Sequence, residues 1–192
     1  EPKNVFLPNN IPVLGYMSNL VVEKGVVTFI EMCELLRNSG VEFHARIAGP
    51  VVGDGVRDAI DHFESFDNFN YLGAVYGDDK DDFLSKVDIF ILPSQYKNEA
   101  EPLVLYEAAQ YGAFLVVSNT GCLDDVATAL GGTSVRVSDD IVNDLVEEIS
   151  RIIPSISSTS KSIVMRRLDE HIKININSLE ELRREIVNAS GS

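Results

Sequence analysis

Glu99 and Glu107 lie on either side of a helix start in the segment NEAEPLVLYEAAQYG, Asn98 to Gly112. Pro102 suits the first turn of a helix, where its missing N–H would have no partner, and Gly112 suits the stop. The amides of Leu103 and Val104 then point out of the helix start. There, backbone donors and the helix dipole favour an anion such as a phosphate. Glu99 precedes the helix and Glu107 stands about one and a half turns inside it. That spacing lets one carboxylate reach a sugar hydroxyl and the other a ribose, since charge-assisted hydrogen bonds to hydroxyls are short and strong. In the plainer account Glu99 and Glu101 decorate a helix N-terminus and Glu107 its solvated face, and this segment by itself leaves the two readings level.

The elements that must hold these groups are legible from periodicity. Apolar runs of strand length fall near Val13–Tyr16, Glu42–Ala48, Phe69–Leu72, Asp88–Leu92, Phe114–Val117 and Thr133–Val137. Segments of helical spacing fill the gaps, near Lys24–Arg37, Asp54–Phe66, Asp79–Lys86, Pro102–Tyr111, Leu123–Ala129 and Asp140–Ile153. Alternation of this kind predicts βαβ units: an α/β domain with a Rossmann-like parallel sheet flanked by helices, whose ligands bind beyond the carboxyl ends of the strands. The first helix is expected to bury Val27, Ile30, Met32 and Leu35 and to stop near Gly40. After Ile153 a stretch rich in Ser and Thr leads into two more helical segments without a strand between them. The reading is therefore a domain over residues 1–153 and a helical extension over 154–192. Ser178 with Glu181 makes a capping box for a last helix, Leu179–Val187, whose Leu182, Ile186 and Val187 form a stripe for packing on this domain or on a missing one.

Composition narrows the partners. The chain has 192 residues, 30 acidic against 16 Lys and Arg, and a formal charge of -14. So acidic a surface does not track nucleic acid or anionic lipid, both of which need clustered cations, and any phosphate site must be local. Runs such as Ile89–Leu92 and Phe114–Val117 fall far short of the ~20 apolar residues of a spanning helix. Cys33 and Cys122 are too few and too far apart for a disulfide framework, which suggests a reducing compartment, with the cytoplasm as default. The opening at Glu1, without an initiator Met or leader pattern, reads as the start of a piece cut from a longer protein.

The acidic segment resembles the Glu-x7-Glu motif of retaining glycosyltransferases of family 4, with Glu99 and Glu107 at its two acidic positions. Ala100, Glu101 and Pro102 stand where that family usually has an aromatic residue and a glycine. GYMSNLVVEKG, Gly15–Gly25, resembles the family's G-R-L-x-x-x-K-G phosphate loop; Lys24 takes the lysine position and Asn19 the arginine position. Its Ser18-Asn19-Leu20 version is similar to a subgroup of bacterial O-antigen and capsule transferases. RIAGP, with Gly49, resembles the loop that approaches the nucleotide, and NYLGAVYG, with Val75, the loop whose backbone reads the base. GAFLVVSNTGCLDDV resembles the run that follows the acidic motif, with Asp125 at its acidic position. The resemblance implies the C-terminal, donor-binding half of a two-domain GT-B fold. It places Lys24 and Glu99 in catalysis, Lys24, Asn19 and the Leu103–Val104 helix start on the diphosphate, Glu107 on the ribose and Glu99 on the sugar, with Ser18, Gly49, Val75 and Pro102 also among the donor-binding residues. The implied substrate is a nucleotide diphosphate sugar, read as UDP-linked, with no metal or other cofactor. The acceptor would be a saccharide or lipid-linked saccharide of surface polysaccharide synthesis. The acceptor half would be the protein's own N-terminal domain, through which a peripheral place on the inner membrane is admitted and without which the chain should transfer nothing.

Two competing readings follow. A non-catalytic nucleotide-sugar-binding module is suggested by Asn19 and Glu101. A dinucleotide oxidoreductase is disfavoured, because no G-x-G-x-x-G follows the first strand. The acidic pairs Asp78-Asp79, Asp81-Asp82, Asp124-Asp125 and Asp139-Asp140 sit at predicted helix starts, where acids complement the dipole better than they suggest a metal triplet. His44, His62 and His171 have no metal-pair spacing. Cys33 reads as core, and Cys122 has no evident activating base.

Overall fold

The computed structural model describes residues 11–52, 55–97, 99, 103–156 and 158–190, and within the last helix the side chains from 161 to 178. Strands β1 (Val13–Met17), β2 (His44–Ala48), β3 (Phe69–Tyr71), β4 (Ile89–Leu92), β5 (Phe114–Ser118) and β6 (Thr133–Val135) form one sheet. Every pairing is parallel and the order is β3-β2-β1-β4-β5-β6, the doubly wound arrangement. β1 and β4 are buried along their whole length. Helices cover both faces, so these strands read as continuous apolar runs rather than alternating ones. The order reverses between β1 and β4, which pair at Leu14↔Ile89 and Gly15↔Phe90. In this fold the ligand crevice lies there, beyond the strand ends, because the chain leaves β1 and β4 toward opposite faces.

The helices are α1 (Val26–Asn38), α2 (Arg57–Glu64), α3 (Asp78–Ser85), α4 (Leu103–Gln110), α5 (Leu123–Ala129), α6 (Ile141–Ile152) and α7 (Ser158–Ser190). α1 packs on α2 and α6, whereas α4 packs on α3 and α7 and α5 on α7. Right-handed crossovers place these two sets on opposite faces of the sheet. The core runs through both layers, with Phe29, Phe63 and Phe69 on one side and Phe83, Leu105 and Leu123 among its members.

Several expectations need correction. Lys24 does not open α1: Val22–Lys24 is a short 3-10 turn, and Gly25 separates it from the helix. In α1 the buried stripe is Val26, Phe29, Ile30, Met32, Cys33 and Leu36, while Leu35 is exposed. At 100° per residue the stripe centres between Phe29 and Cys33, and Leu35 falls about 140° round the helix from it. Strand β6 ends at Val135, and the Val137 amide donates instead to Asn119 Oδ1 at 3.0 Å. The tail holds one helix, α7, in place of two. Ser178 therefore caps nothing; it lies inside α7 and its hydroxyl donates to the Ile174 carbonyl at 3.0 Å. A serine in mid-helix bonds back to the preceding turn in this way when no break exposes free amides. The Leu182, Ile186 and Val187 side chains lie outside the described ones.

The first turns of α7 are seated on the domain. Val164 and Leu168 join the core, and Lys161 Nζ reaches Asp88 Oδ1 at 2.6 Å. The other Asp88 oxygen accepts the Val13 amide at 2.8 Å. This buried pair joins helix, β1 and β4 at the amino end of the sheet, opposite the crevice.

Candidate functional site

The loops leaving β1 and β4 are tied together over the strand reversal. Gln95 N–H donates to the Glu23 carbonyl at 2.8 Å. Gly25 lies against the other loop: a Cβ there would meet the Pro93 carbonyl at 2.1 Å, and its φ of 82° is left-handed. Only glycine meets both conditions. Tyr16, fully buried in β1, donates its hydroxyl to the Lys24 carbonyl at 3.0 Å. Burial pushes the Tyr16 phenol well above its ordinary pKa, a hydrogen bond with Ser18 works against this, and the Glu99 charge adds to it. The phenol thus keeps its proton and remains a donor.

These contacts bring Lys24 and Glu99, from opposite sides of the reversal, to one point. Lys24 Nζ donates to Glu99 Oε1 at 2.6 Å and Oε2 at 2.7 Å, and lies 4.9 Å from the centre of the Tyr96 ring. The Glu99 side chain is 7% exposed and that of Lys24 24%. A carboxylate held so deeply needs a cation or several donors, and here it has both. Ser94 Oγ donates to Glu99 Oε2 at 2.7 Å. Behind Glu99 the loop after β5 closes in. A Cβ on Gly121 would stand 2.5 Å from the Glu99 carbonyl, and the Cys122 thiol contacts that same oxygen at 3.9 Å.

Glu107 is half-buried on α4 and accepts from Lys80 Nζ of α3 at 2.6 Å. Helix α4 opens at Leu103, which puts the Leu103 and Val104 amides in its first turn, where helix geometry leaves N–H groups without intrahelical partners. Pro102, Glu101, Ala100 and Asn98 lie outside the described residues. Asn19 is exposed, and Ser18 is half-buried and donates its amide to the Ala48 carbonyl at 3.3 Å. The Gly49 amide donates to the Gly73 carbonyl at 2.7 Å, and its own carbonyl accepts from Tyr71 Oη at 2.9 Å. This joins the loops after β2 and β3 and leaves Val75 half-buried beside them. All these groups stand at the carboxyl edge of the sheet. So do the exposed apolar side chains of Val22, Val52, Tyr76, Tyr96 and Leu103.

Sequence reasoning missed Tyr16, Lys80 and Ser94. Tyr16 read as core, Ser94 as a strand exit, and Lys80 carried no pattern. Among the described residues no group of three or more His, Cys, Asp or Glu could hold a metal ion. Asp78, Asp79 and Asp81 fall in the first turn of α3 and Asp124 and Asp125 in that of α5, Asp140 stands just before α6, and Asp82 pairs with Lys86. Asp140, at the N-cap of α6, makes no side-chain cap hydrogen bond, and acids at these positions suit the helix dipole. Among the described residues no helix is long and apolar enough to cross a membrane.

Residues 1–160 match the family described as glycosyl transferases group 1. No curated protein matches the chain significantly. The pneumococcal O-GlcNAc transferase GtfA, solved with UDP and GlcNAc, superposes with a TM-score of 0.71 at 16% identity, over 91% of this chain and 36% of that one. AviGT4, a glycosyltransferase involved in avilamycin A biosynthesis, gives a TM-score of 0.69 at 19% identity, over 92% of this chain and 52% of that one. HepE of Anabaena, solved with UDP-glucose, gives 0.66 at 19% identity, over 91% and 49%. The fold is that of one part of these transferases, and the chain spans between about a third and a half of their length.

Proposed function

Since the chain belongs to the glycosyl transferases group 1 family, we propose that its crevice takes a nucleotide diphosphate sugar, UDP-linked, and serves a retaining transfer to a saccharide or lipid-linked saccharide acceptor. The observation that carries this reading is the meeting of Lys24 and Glu99 at the strand reversal, with α4 opening beside them. In the doubly wound fold this is where a nucleotide lies. Lys24 and the first amides of α4 face the diphosphate, Glu107 the ribose and Glu99 the transferred sugar. Cation and helix start are fixed before the reaction, so charge gathering on the departing diphosphate meets groups that need not reorganise. The apolar rim at this edge suits a face covered by an acceptor domain in the working protein. Synthesis of a surface polysaccharide such as O-antigen or capsule is the setting that the Ser18-Asn19-Leu20 loop favours.

The direct test is a panel of nucleotide sugars scored by thermal shift and titration calorimetry, and a protein that binds none of them does not have this site. Binding is expected to persist in a chelator, because neutralisation of the phosphates is assigned to Lys24 and a helix start. Loss of affinity in chelator, restored by a divalent ion, would replace that assignment with a metal.

Glu107→Ala is expected to weaken UDP and every UDP-sugar by the same factor, about tenfold, as for a lost charged hydrogen bond. The ribose contact is common to all of them and present before and during reaction. An effect confined to particular sugars would move Glu107 off the ribose. Lys80, which already takes Glu107 Oε1, makes this a site in which the ribose shares the carboxylate with a lysine.

A further inference from the structure

Two of the buried polar side chains lie behind Glu99. Ser94 and Ser118 are both 0% exposed and follow the apolar runs of β4 and β5. A buried hydroxyl is unfavourable unless bonded, and an alanine at either position would fill nearly the same space without that cost. What the two hydroxyls touch therefore matters. Ser118, the last residue of β5, donates its hydroxyl to the Ser94 carbonyl. The register Leu92↔Val117 brings it alongside the exit of β4, so it continues the strand pairing by a side chain where the ladder has ended. Ser94 Oγ in turn accepts the Tyr96 amide at 3.3 Å and lies 2.7 Å from Glu99 Oε2 and 3.5 Å from the Glu23 carbonyl. A hydroxyl has one proton. The shorter, charge-assisted contact takes it, and the Tyr96 amide occupies a lone pair, so the rotor is set.

Resting on the donor-site reading above, we infer that Ser94, held by Ser118, is the positioning residue that aims the Glu99 carboxylate at the transferred sugar. In the structure Lys24 engages both Glu99 oxygens. A diphosphate in the crevice competes for that ammonium, and as Lys24 turns to the phosphates Ser94 still holds Oε2. A neutral donor suits this task better than a second cation. It fixes the direction of the carboxylate while leaving its negative charge for the sugar hydroxyls, and it leaves Oε1 outward. Gly121 approaches the Glu99 carbonyl from the other side, and the Glu99 amide donates to the Tyr96 carbonyl at 3.1 Å. Ser94 acts through Glu99 and touches no reacting atom.

The test separates the sugar from the nucleotide. Affinities of the intact protein for UDP, UDP-glucose and UDP-N-acetylglucosamine are measured by calorimetry for wild type, Ser94→Ala, Ser118→Ala and the double variant. Wild type is expected to bind at least one of the sugars more tightly than UDP. Ser94→Ala should lose about tenfold of that extra affinity while its UDP affinity stays within about twofold, which also certifies its fold. Ser118→Ala should lose less, and adding it to Ser94→Ala should cost nothing further, because it works through the same contact. An unchanged sugar preference in Ser94→Ala, or an equal fall for UDP and UDP-sugars, overturns the positioning role and leaves the donor site standing. A wild type that binds none of the three, or UDP alone, overturns the donor-site reading and this inference with it.

Discussion

Lys24→Ala in the intact protein is expected to lower turnover by about 10²–10³, the range found when one donor facing a developing negative charge is removed, with a much smaller fall in donor affinity. In the resting site the ammonium is occupied by Glu99, at 2.6 and 2.7 Å, so a bound diphosphate gains Lys24 only by weakening an ion pair already in place. The net gain in the ground state is therefore modest. In the proposed transfer, negative charge would collect on the diphosphate as the glycosidic bond breaks, and the balance would shift toward the phosphates. The contact strengthens when the reaction needs it, and an interaction of that kind appears in turnover rather than in binding. Removal of Lys24 also leaves Glu99 with Ser94, so the carboxylate does not become an orphan. Steady-state kinetics beside calorimetry with UDP would check this. Equal losses in turnover and affinity would mean that Lys24 binds substrate and transition state alike. Wild-type kinetics in the variant would remove it from the site. Should the unaltered protein bind a UDP-sugar and transfer it to no acceptor extract, the binding-module reading, with Asn19 in place of an arginine, becomes the better one.

Asp88→Ala is expected to cost about 3–5 kcal/mol of folding stability, the usual result of removing one partner of a buried ion pair. The Asp88 and Lys161 side chains are 4% and 9% exposed. The substitution leaves the Lys161 ammonium without its carboxylate and takes the acceptor from the Val13 amide. It also loosens α7, whose Val164 and Leu168 stand in the core on the same helix face. Replacing both partners together, as Asp88→Leu with Lys161→Met, should recover much of the loss, because the cost comes from burying the lysine charge apart from its carboxylate rather than from absence of the pair. Urea unfolding would measure both variants. A loss below about 1 kcal/mol would class the pair with exposed ion pairs, which contribute little. The pair lies at the amino end of the sheet, so nucleotide affinity below the unfolding temperature should hold, and a fall there would show that α7 reaches the crevice.

Much of the architecture was readable from local pattern. Helices on both sides make β1 and β4 unbroken apolar runs, the amphipathic spacing of α6 marks its buried Ile141, Leu145, Ile149 and Ile152, and left-handed Gly40 follows the end of α1. Short-range chemistry carries such signals, and it also drew attention to Glu99 and Glu107 beside a helix start, whereas Lys24 stood out only through the resemblance of its loop to a phosphate loop. Local pattern misjudged Leu35 and Ser178, because a helix's buried face and its continuity depend on what packs against it. The strand order, and with it the place of the reversal, is a property of long-range pairing that no window of sequence contains. That order is what sets Lys24 against Glu99, Ser118 behind Ser94, Lys80 on Glu107 and Lys161 on Asp88. Residue types thus determined which groups bring charge and hydrogen-bonding capacity to the sheet edge, and the tertiary structure alone decided which of them meet, because side chains far apart in the chain become neighbours only when the sheet closes between them.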